Sequence, residues 1–246
     1  MLLVIVAVAV AAAADVDTAV DPYIGIGVVM VGIDPLYLIV MGVSALLSVG
    51  AQLWVKSAFH RYRQVGSARG LRGVDVAELI LRQAGIGGVR VEPVDGFLTD
   101  HYDPRHKVLR LSTENFHGSS LAAAGVAAHE VGHALQDAQG YWPMRARQTL
   151  VPVANIGTNL GVLLVVLGMS LGALGLAKLG VVLFAGFVVF TVITLPVEID
   201  ASMRARRALM STGVLTRDEL SGVSHVLTAA AGTYVAAAAT AVLQLL

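Results

Sequence analysis

Residues 36–55, LYLIVMGVSALLSVGAQLWV, run for twenty positions without one charged side chain. A helix needs about 20 apolar residues to cross the hydrocarbon of a bilayer. In that medium the backbone must satisfy its own hydrogen bonds, which only helices and closed barrels do. A chain with such a run is restricted to architectures built around membrane helices. Trp54 lies where an interfacial aromatic belongs, and the basic text KSAFHRYR follows at once. Two more apolar stretches, about 158–177 and 179–197, meet around Lys178, which leaves room only for a hairpin. The chain closes on VLTAAAGTYVAAAATAVLQLL, long enough to span and rich in the small residues that let helices approach closely. Composition agrees: 56% of residues are hydrophobic and only 14% charged.

The formal net charge is zero, so no bulk charge speaks for nucleic acid as a partner. Where the charges sit is more informative. Lys56, Arg61, Arg63, Arg69 and Arg72 follow the first span, Arg145 and Arg147 precede the second, and Arg204, Arg206 and Arg207 follow the third. The opposite side offers Lys178 and an acidic patch after residue 14. By the positive-inside rule the basic side faces the cytoplasm. The expected division is an apolar N-terminal extension (1–33), a first membrane helix (34–56), a cytoplasmic-facing domain (57–148), a membrane hairpin (149–197), a charged helix (198–222) and a C-terminal apolar helix (223–246). Residues 1–14 are too short to span as a straight helix and end like a signal-peptide cleavage site, without the basic n-region; a cleaved signal and a further membrane segment both remain open.

Within 57–148 the text changes to mixed charge. VDVAELILRQAG has apolar positions at helical spacing and a Gly stop; VRVEPV and KVLRLS read as two short strands joined through an Asp-Pro turn. Ser119 or Ser120 can cap the next helix, and that helix contains AAHEVGHAL. Positions i and i+4 share a helix face, so His129 and His133 can both aim a ring nitrogen at one ion. Glu130 is rotated off that pair, placed to hold water rather than to ligate. Gly132 costs about 1 kcal/mol of helix propensity, which predicts that another element approaches closely there.

Two histidines are not a catalytic zinc site, which takes three protein ligands and one open position. With no cysteine in the chain the third must be His or carboxylate. Asp137, four residues after His133, reads as a helix-surface residue. Glu198 in LPVEIDAS, directly after an apolar stretch, is the stronger candidate, because a carboxylate there is costly unless paired or metal-bound. Its plainer reading is an interfacial glutamate paired with Arg204 or a neighbour. Pro196 can open the helix just before it. Asp200 and Ser202 are candidates to hydrogen-bond a ligating His.

HEVGHALQDAQGY, LTDHYDPRHKVLRLS, LPVEIDAS and TYVAAA together resemble the YugP-type neutral zinc metallopeptidases of bacterial membranes, from about Asp34 to the C-terminus. More distantly, the layout is similar to HtpX-type membrane proteases, in which two membrane helices separate HExxH from an ExxAD text bearing the glutamate ligand. The resemblance implies Glu198 as third ligand; Ser202 stands where that pattern has Asp, a departure that puts the supporting role in doubt and points it to Asp200. It implies a mainly α fold, a multi-pass membrane protein with a zincin-like catalytic domain containing a small β-sheet. It further implies one Zn2+ and hydrolysis of a peptide or membrane-protein substrate, with Glu130 as general base. KVLRLS, just upstream of the zinc helix, is expected to offer an edge to an extended substrate. Tyr234, His225 and Arg204 are the candidates to stabilise the transition state. A protein that keeps zinc for structure alone would need no Glu130, and a site-2-type intramembrane protease would need an NPDG-like text that is missing.

Overall fold

A computed structural model describes residues 35–245; the expectations for residues 1–33 lie outside the described residues. The architecture is mainly α with a small three-stranded sheet, as the sequence implied. In chain order the elements are α1 (Pro35–Arg63), α2 (Gly73–Gln83), β1 (Arg90–Val94), β2 (His101–Asp103), β3 (Val108–Ser112), α3 (Thr113–His117), α4 (Leu121–Ala138) and α5 (Trp142–Ile156). A π-turn at Gly157–Gly161 carries the chain into α6 (Val162–Ser170), and α7 (Leu174–Thr212) and α8 (Arg217–Leu245) follow. Four helical segments are long and apolar enough to cross a membrane: α1, the rod Trp142–Ser170, α7 and α8.

The chain divides into two compact units. One gathers Thr149–Val192 with the described parts of Met1–Ser48 and Ala237–Leu246; the other gathers Val49–Gln148 and Ile193–Ala236. In the first, Val162, Phe184, Val188 and Ala241 form a small buried cluster. Glycines set its helix spacing. A Cβ on Gly157 would sit 2.4 Å from the Leu183 carbonyl, and one on Gly180 would sit 2.6 Å from the Gly161 carbonyl. Such close backbone approach is how helices gain packing where the hydrophobic effect contributes little.

The second unit has the larger core. Val76, Ala77, Ile80 and Leu81 of α2 pack with Leu109 and Leu111 of β3, Ala124, Ala128 and Val131 of α4, Val197, Ala205 and Leu209 of α7, and Val223 and Leu227 of α8. Ser120 caps α4, its Oγ accepting from the Ala123 N–H at 3.1 Å. A capping box opens α8: Glu219 N–H donates to Thr216 Oγ1 and Thr216 N–H to the Glu219 carboxylate.

Four expectations change. The strand in KVLRLS is central, not an edge: the sheet order is β1-β3-β2, with β1 parallel and β2 antiparallel to β3. β1 pairs with all five of its residues and β2 with Val108, Leu109 and Arg110, so it offers no free edge along its length to a substrate strand. The short strand His101–Asp103 that covers one side is too brief to show a period of two, which is why the sequence reading missed it. The hairpin turns at Leu171–Ala173, ahead of Lys178, because Gly172 supplies the left-handed conformation (φ 63°) that ends α6. Finally, α7 runs unbroken through Pro196 and joins the apolar stretch to the charged one, so the charged segment is no separate helix; it stops before Gly213 (φ 60°), and α8 begins at Arg217.

Candidate metal centre

Three side chains converge inside the second unit. His129 and His133 come from one face of α4, and Glu198 from α7, where its side chain is only 2% exposed. Glu198 Oε2 lies 3.2 Å from His129 Nε2 and 3.6 Å from His133 Nε2. All three ligand atoms fall within 4.8 Å of one another, the one such group of three or more His, Asp or Glu among the described residues. Zinc bonds of about 2.0–2.1 Å at tetrahedral angles place donor atoms about 3.3–3.4 Å apart. The two separations from Glu198 bracket that value, so the donor set fits a tetrahedral ion.

The far side of each imidazole is engaged in a way that leaves Nε2 for the ion. Gln136, one turn beyond His133 and fully buried, accepts at Oε1 from His133 Nδ1 at 3.0 Å. Its amide donates to the Val197 carbonyl (2.8 Å) and to Asp200 Oδ2 (2.9 Å), which fixes which way the amide faces. Asp200 therefore supports His133 through Gln136 rather than by a direct bond. Ser202 Oγ lies 3.2 Å from His129 Nδ1, one helical turn after Glu198. Of the two candidates, Ser202 thus touches an imidazole directly and Asp200 reaches one only through Gln136.

Glu198 carries a second engagement. Arg147, near the start of the rod Trp142–Ser170, places Nη1 2.8 Å from Glu198 Oε1. That leaves Oε2 facing the histidines. Tyr234 of α8 also interacts with Glu198. Gly132 is explained as expected: a Cβ there would lie 2.4 Å from the Ala201 carbonyl, so the glycine lets α4 and α7 meet closely enough for the ligands to converge.

Glu130 is buried and faces a cavity of about 620 Å³ that His129, Asp100 and Tyr234 also line. Burial pushes its carboxyl up to about 7, while the neighbouring His129 favours the charged form. A carboxyl poised there can exchange a proton with a bound water near neutral pH.

The remaining candidates separate cleanly. Arg204 donates to Asp200 and to Gln139 and lies over the Tyr141 ring at 5.6 Å; its guanidinium is committed to that network. His225 is exposed and packs between Trp54 and Tyr62, with ring centroids 6.4 and 5.9 Å away, and takes no part in the cavity wall. Asp137 accepts from Tyr102 and Lys107 and ligates nothing. Of the three residues proposed to stabilise a transition state, the structure brings only Tyr234 to the cavity. Sequence reasoning missed Gln136 and Arg147. The signal for Gln136 was its i+3 position from His133 on the same helix face. Arg147 was read for topology alone.

Comparison with known proteins agrees with this geometry. Residues 37–246 match the model of the family described as "Putative neutral zinc metallopeptidase". The chain belongs to this family. It is similar to "Putative membrane protease YugP" of Bacillus subtilis (strain 168), 46% identical over 200 residues that cover 81% of this chain and 89% of that relative. No solved structure matches the chain. The family assignment covers α1 through α8, and so includes all three convergent side chains.

Proposed function

We propose that this chain is a membrane-anchored, zinc-dependent endopeptidase. One Zn2+ is held by His129, His133 and Glu198, and the catalytic domain is zincin-like and faces the cytoplasm. The observation that carries the reading is the convergence of three donor atoms within 4.8 Å of one another, with a buried carboxylic acid directly following His129 in the chain. A bound zinc ion would lower the pKa of its water toward about 7 and polarise a carbonyl. The chain's own residues do the rest. Glu130 takes a proton from the attacking water at its carboxylate and returns it to the leaving amine. Gln136 and Ser202 hold the two imidazoles in orientation, and Arg147 holds Glu198. Tyr234 presents a hydroxyl toward the reacting carbonyl oxygen. The name of the Bacillus relative supports the membrane and the protease parts. The cytoplasmic orientation rests on the basic residues that flank the spans, Arg147 now being counted as a site residue.

The full-length protein, purified in detergent, should contain one zinc per chain, and Glu130→Gln should keep the metal while losing peptide cleavage. Equal turnover by Glu130→Gln overturns the assignment of the base, and zinc unchanged in Glu198→Ala overturns the third ligand. For orientation, Arg63→Cys should resist an impermeant thiol reagent in intact cells; ready labelling reverses it.

A further inference from the structure

The cavity beside Glu130 has four walls, all within the second unit. One face of α1 contributes Val55 and Phe59, α4 contributes Val126, α8 contributes Val226, Leu227 and Ala230, and the loop before β2 contributes Phe97 and Leu98. Beside His129, Glu130, Asp100 and Tyr234, the polar lining residues are Gln52, Lys56, His60 and Arg63 of α1 and Thr233 of α8; most of the lined surface is nonetheless apolar. At about 620 Å³ it is of the size that binds small molecules or a short stretch of peptide.

The loop is built, not slack. Thr99 Oγ1 donates to the Asp95 carbonyl, and Asp100 accepts from Ser112 N–H and Oγ and from Asn115 Nδ2. Gly96 (φ 111°) and Leu98 (φ 54°) both take the left-handed region, which a leucine rarely enters. The outcome is that Phe97 (63% exposed) and Leu98 (51% exposed) stand at the cavity, with Phe97 held edge-on to Phe59 at 5.9 Å. Large apolar side chains held exposed beside a reactive carboxyl are an unsatisfied surface until something apolar covers them.

We infer that this cavity is the specificity pocket of the peptidase proposed above: it takes a bulky apolar side chain, such as Leu or Phe, of the substrate residue next to the scissile bond. The inference rests on the peptidase reading for the meaning of "scissile", but the pocket is tested by binding alone. An aliphatic or aromatic side chain buried here in place of a methyl group should tighten binding about 10–100-fold. Because His129 and Glu130 line the same cavity, a side chain seated in it brings its own backbone to the ligand set. Substrates would then carry a bulky apolar residue beside the scissile bond.

The test uses full-length, zinc-loaded Glu130→Gln protein in nanodiscs and two fluorescent octapeptides that differ only by Leu or Ala at one central position. The Leu peptide should bind at least tenfold tighter. Ala230→Trp, which puts an indole into the cavity, should sharply reduce the difference. Phe97→Ala, at an exposed position where folding is not at stake, should reduce it several-fold. Equal affinity for the two peptides, with wild-type protein still cutting them, overturns the pocket and leaves the peptidase standing. A retained Leu preference with no cutting by wild type overturns the peptidase and leaves the pocket. If neither peptide binds while a lysophospholipid with a fluorescently labelled acyl chain binds wild type and not Ala230→Trp, the cavity belongs to an acyl chain and the inference fails.

Discussion

Arg147 Nη1 lies 2.8 Å from Glu198 Oε1, and this pair divides the work of one carboxylate. One oxygen answers a guanidinium; the other faces His129 and His133. Glu198 is buried, so removing Arg147 leaves its Oε1 without an ionic partner; breaking a buried pair typically costs about 3–5 kcal/mol, less here because the histidines still face Oε2. The partial exposure of Arg147 reduces that figure. The carboxylate would then rotate or protonate, and in either case become a poorer ligand. Arg147→Ala is expected to weaken zinc binding about 10–100-fold, the usual penalty for losing a group that supports a metal ligand. Arg147→Lys should recover part of it. Competition against a chromophoric chelator reads both; unchanged affinity in Arg147→Ala would show that the pair serves packing only.

How much of this was legible in the sequence differs from residue to residue. His129, Glu130 and His133 are legible because helix periodicity alone places them relative to one another. Glu198 is legible because a carboxylate beside an apolar run needs a reason. Gly132 announced a close approach but not that Ala201 makes it. Gln136 had a local signal in its i+3 spacing from His133, but its anchors on Val197 and Asp200 did not, and nothing local marks Arg147 as the partner of Glu198, 51 residues on. The central position of β3 was hidden in the same way. Four of its five residues are buried, a pattern that does not alternate and carries no hint of which neighbours pair with it.

The close approach at Gly132 can be tested by stability. A methyl group there would meet the Ala201 carbonyl at 2.4 Å, a backbone atom that cannot swing aside. Overpacking typically costs about 1–3 kcal/mol, and backbone contact puts this case at the upper end. Alanine recovers about 1 kcal/mol of helix propensity, which is too little. Gly132→Ala should therefore melt at lower temperature than wild type in detergent, and lose zinc as α4 and α7 part. A melting temperature equal to or above that of wild type would mean that the helices separate easily.

Asp103 should contribute to the acid stability of the domain. Its carboxylate accepts from His106 Nδ1 and from the backbone N–H groups of Arg105 and His106, and the His106 side chain is the first cause holding its pKa well below the usual range. A group whose folded pKa is depressed stabilises fully above its unfolded value, about 3.9, and that contribution is lost as pH falls toward the folded value. Exposure of the pair keeps the effect small. Asp103→Asn should lower the melting temperature slightly at pH 6, and the gap to wild type should close below about pH 3.5. A gap that stays constant over this range would assign the effect to turn geometry rather than charge.

Tyr234 is the one proposed stabiliser that reaches the cavity, and it also interacts with Glu198. These two placements predict different losses. If its hydroxyl serves a developing oxyanion, Tyr234→Phe should lower kcat by about 10²-fold, the scale for one such donor, with zinc content intact. The ring is kept, so packing against α8 neighbours is unchanged. If instead the hydroxyl mainly holds Glu198, zinc affinity falls and kcat of the fully loaded enzyme recovers at high metal. His225→Ala supplies the contrast: an exposed ring between Trp54 and Tyr62 should be replaceable with little effect on either measurement. We expect the loss in kcat for Tyr234→Phe, because Arg147 already satisfies Glu198 Oε1 and the histidines face Oε2.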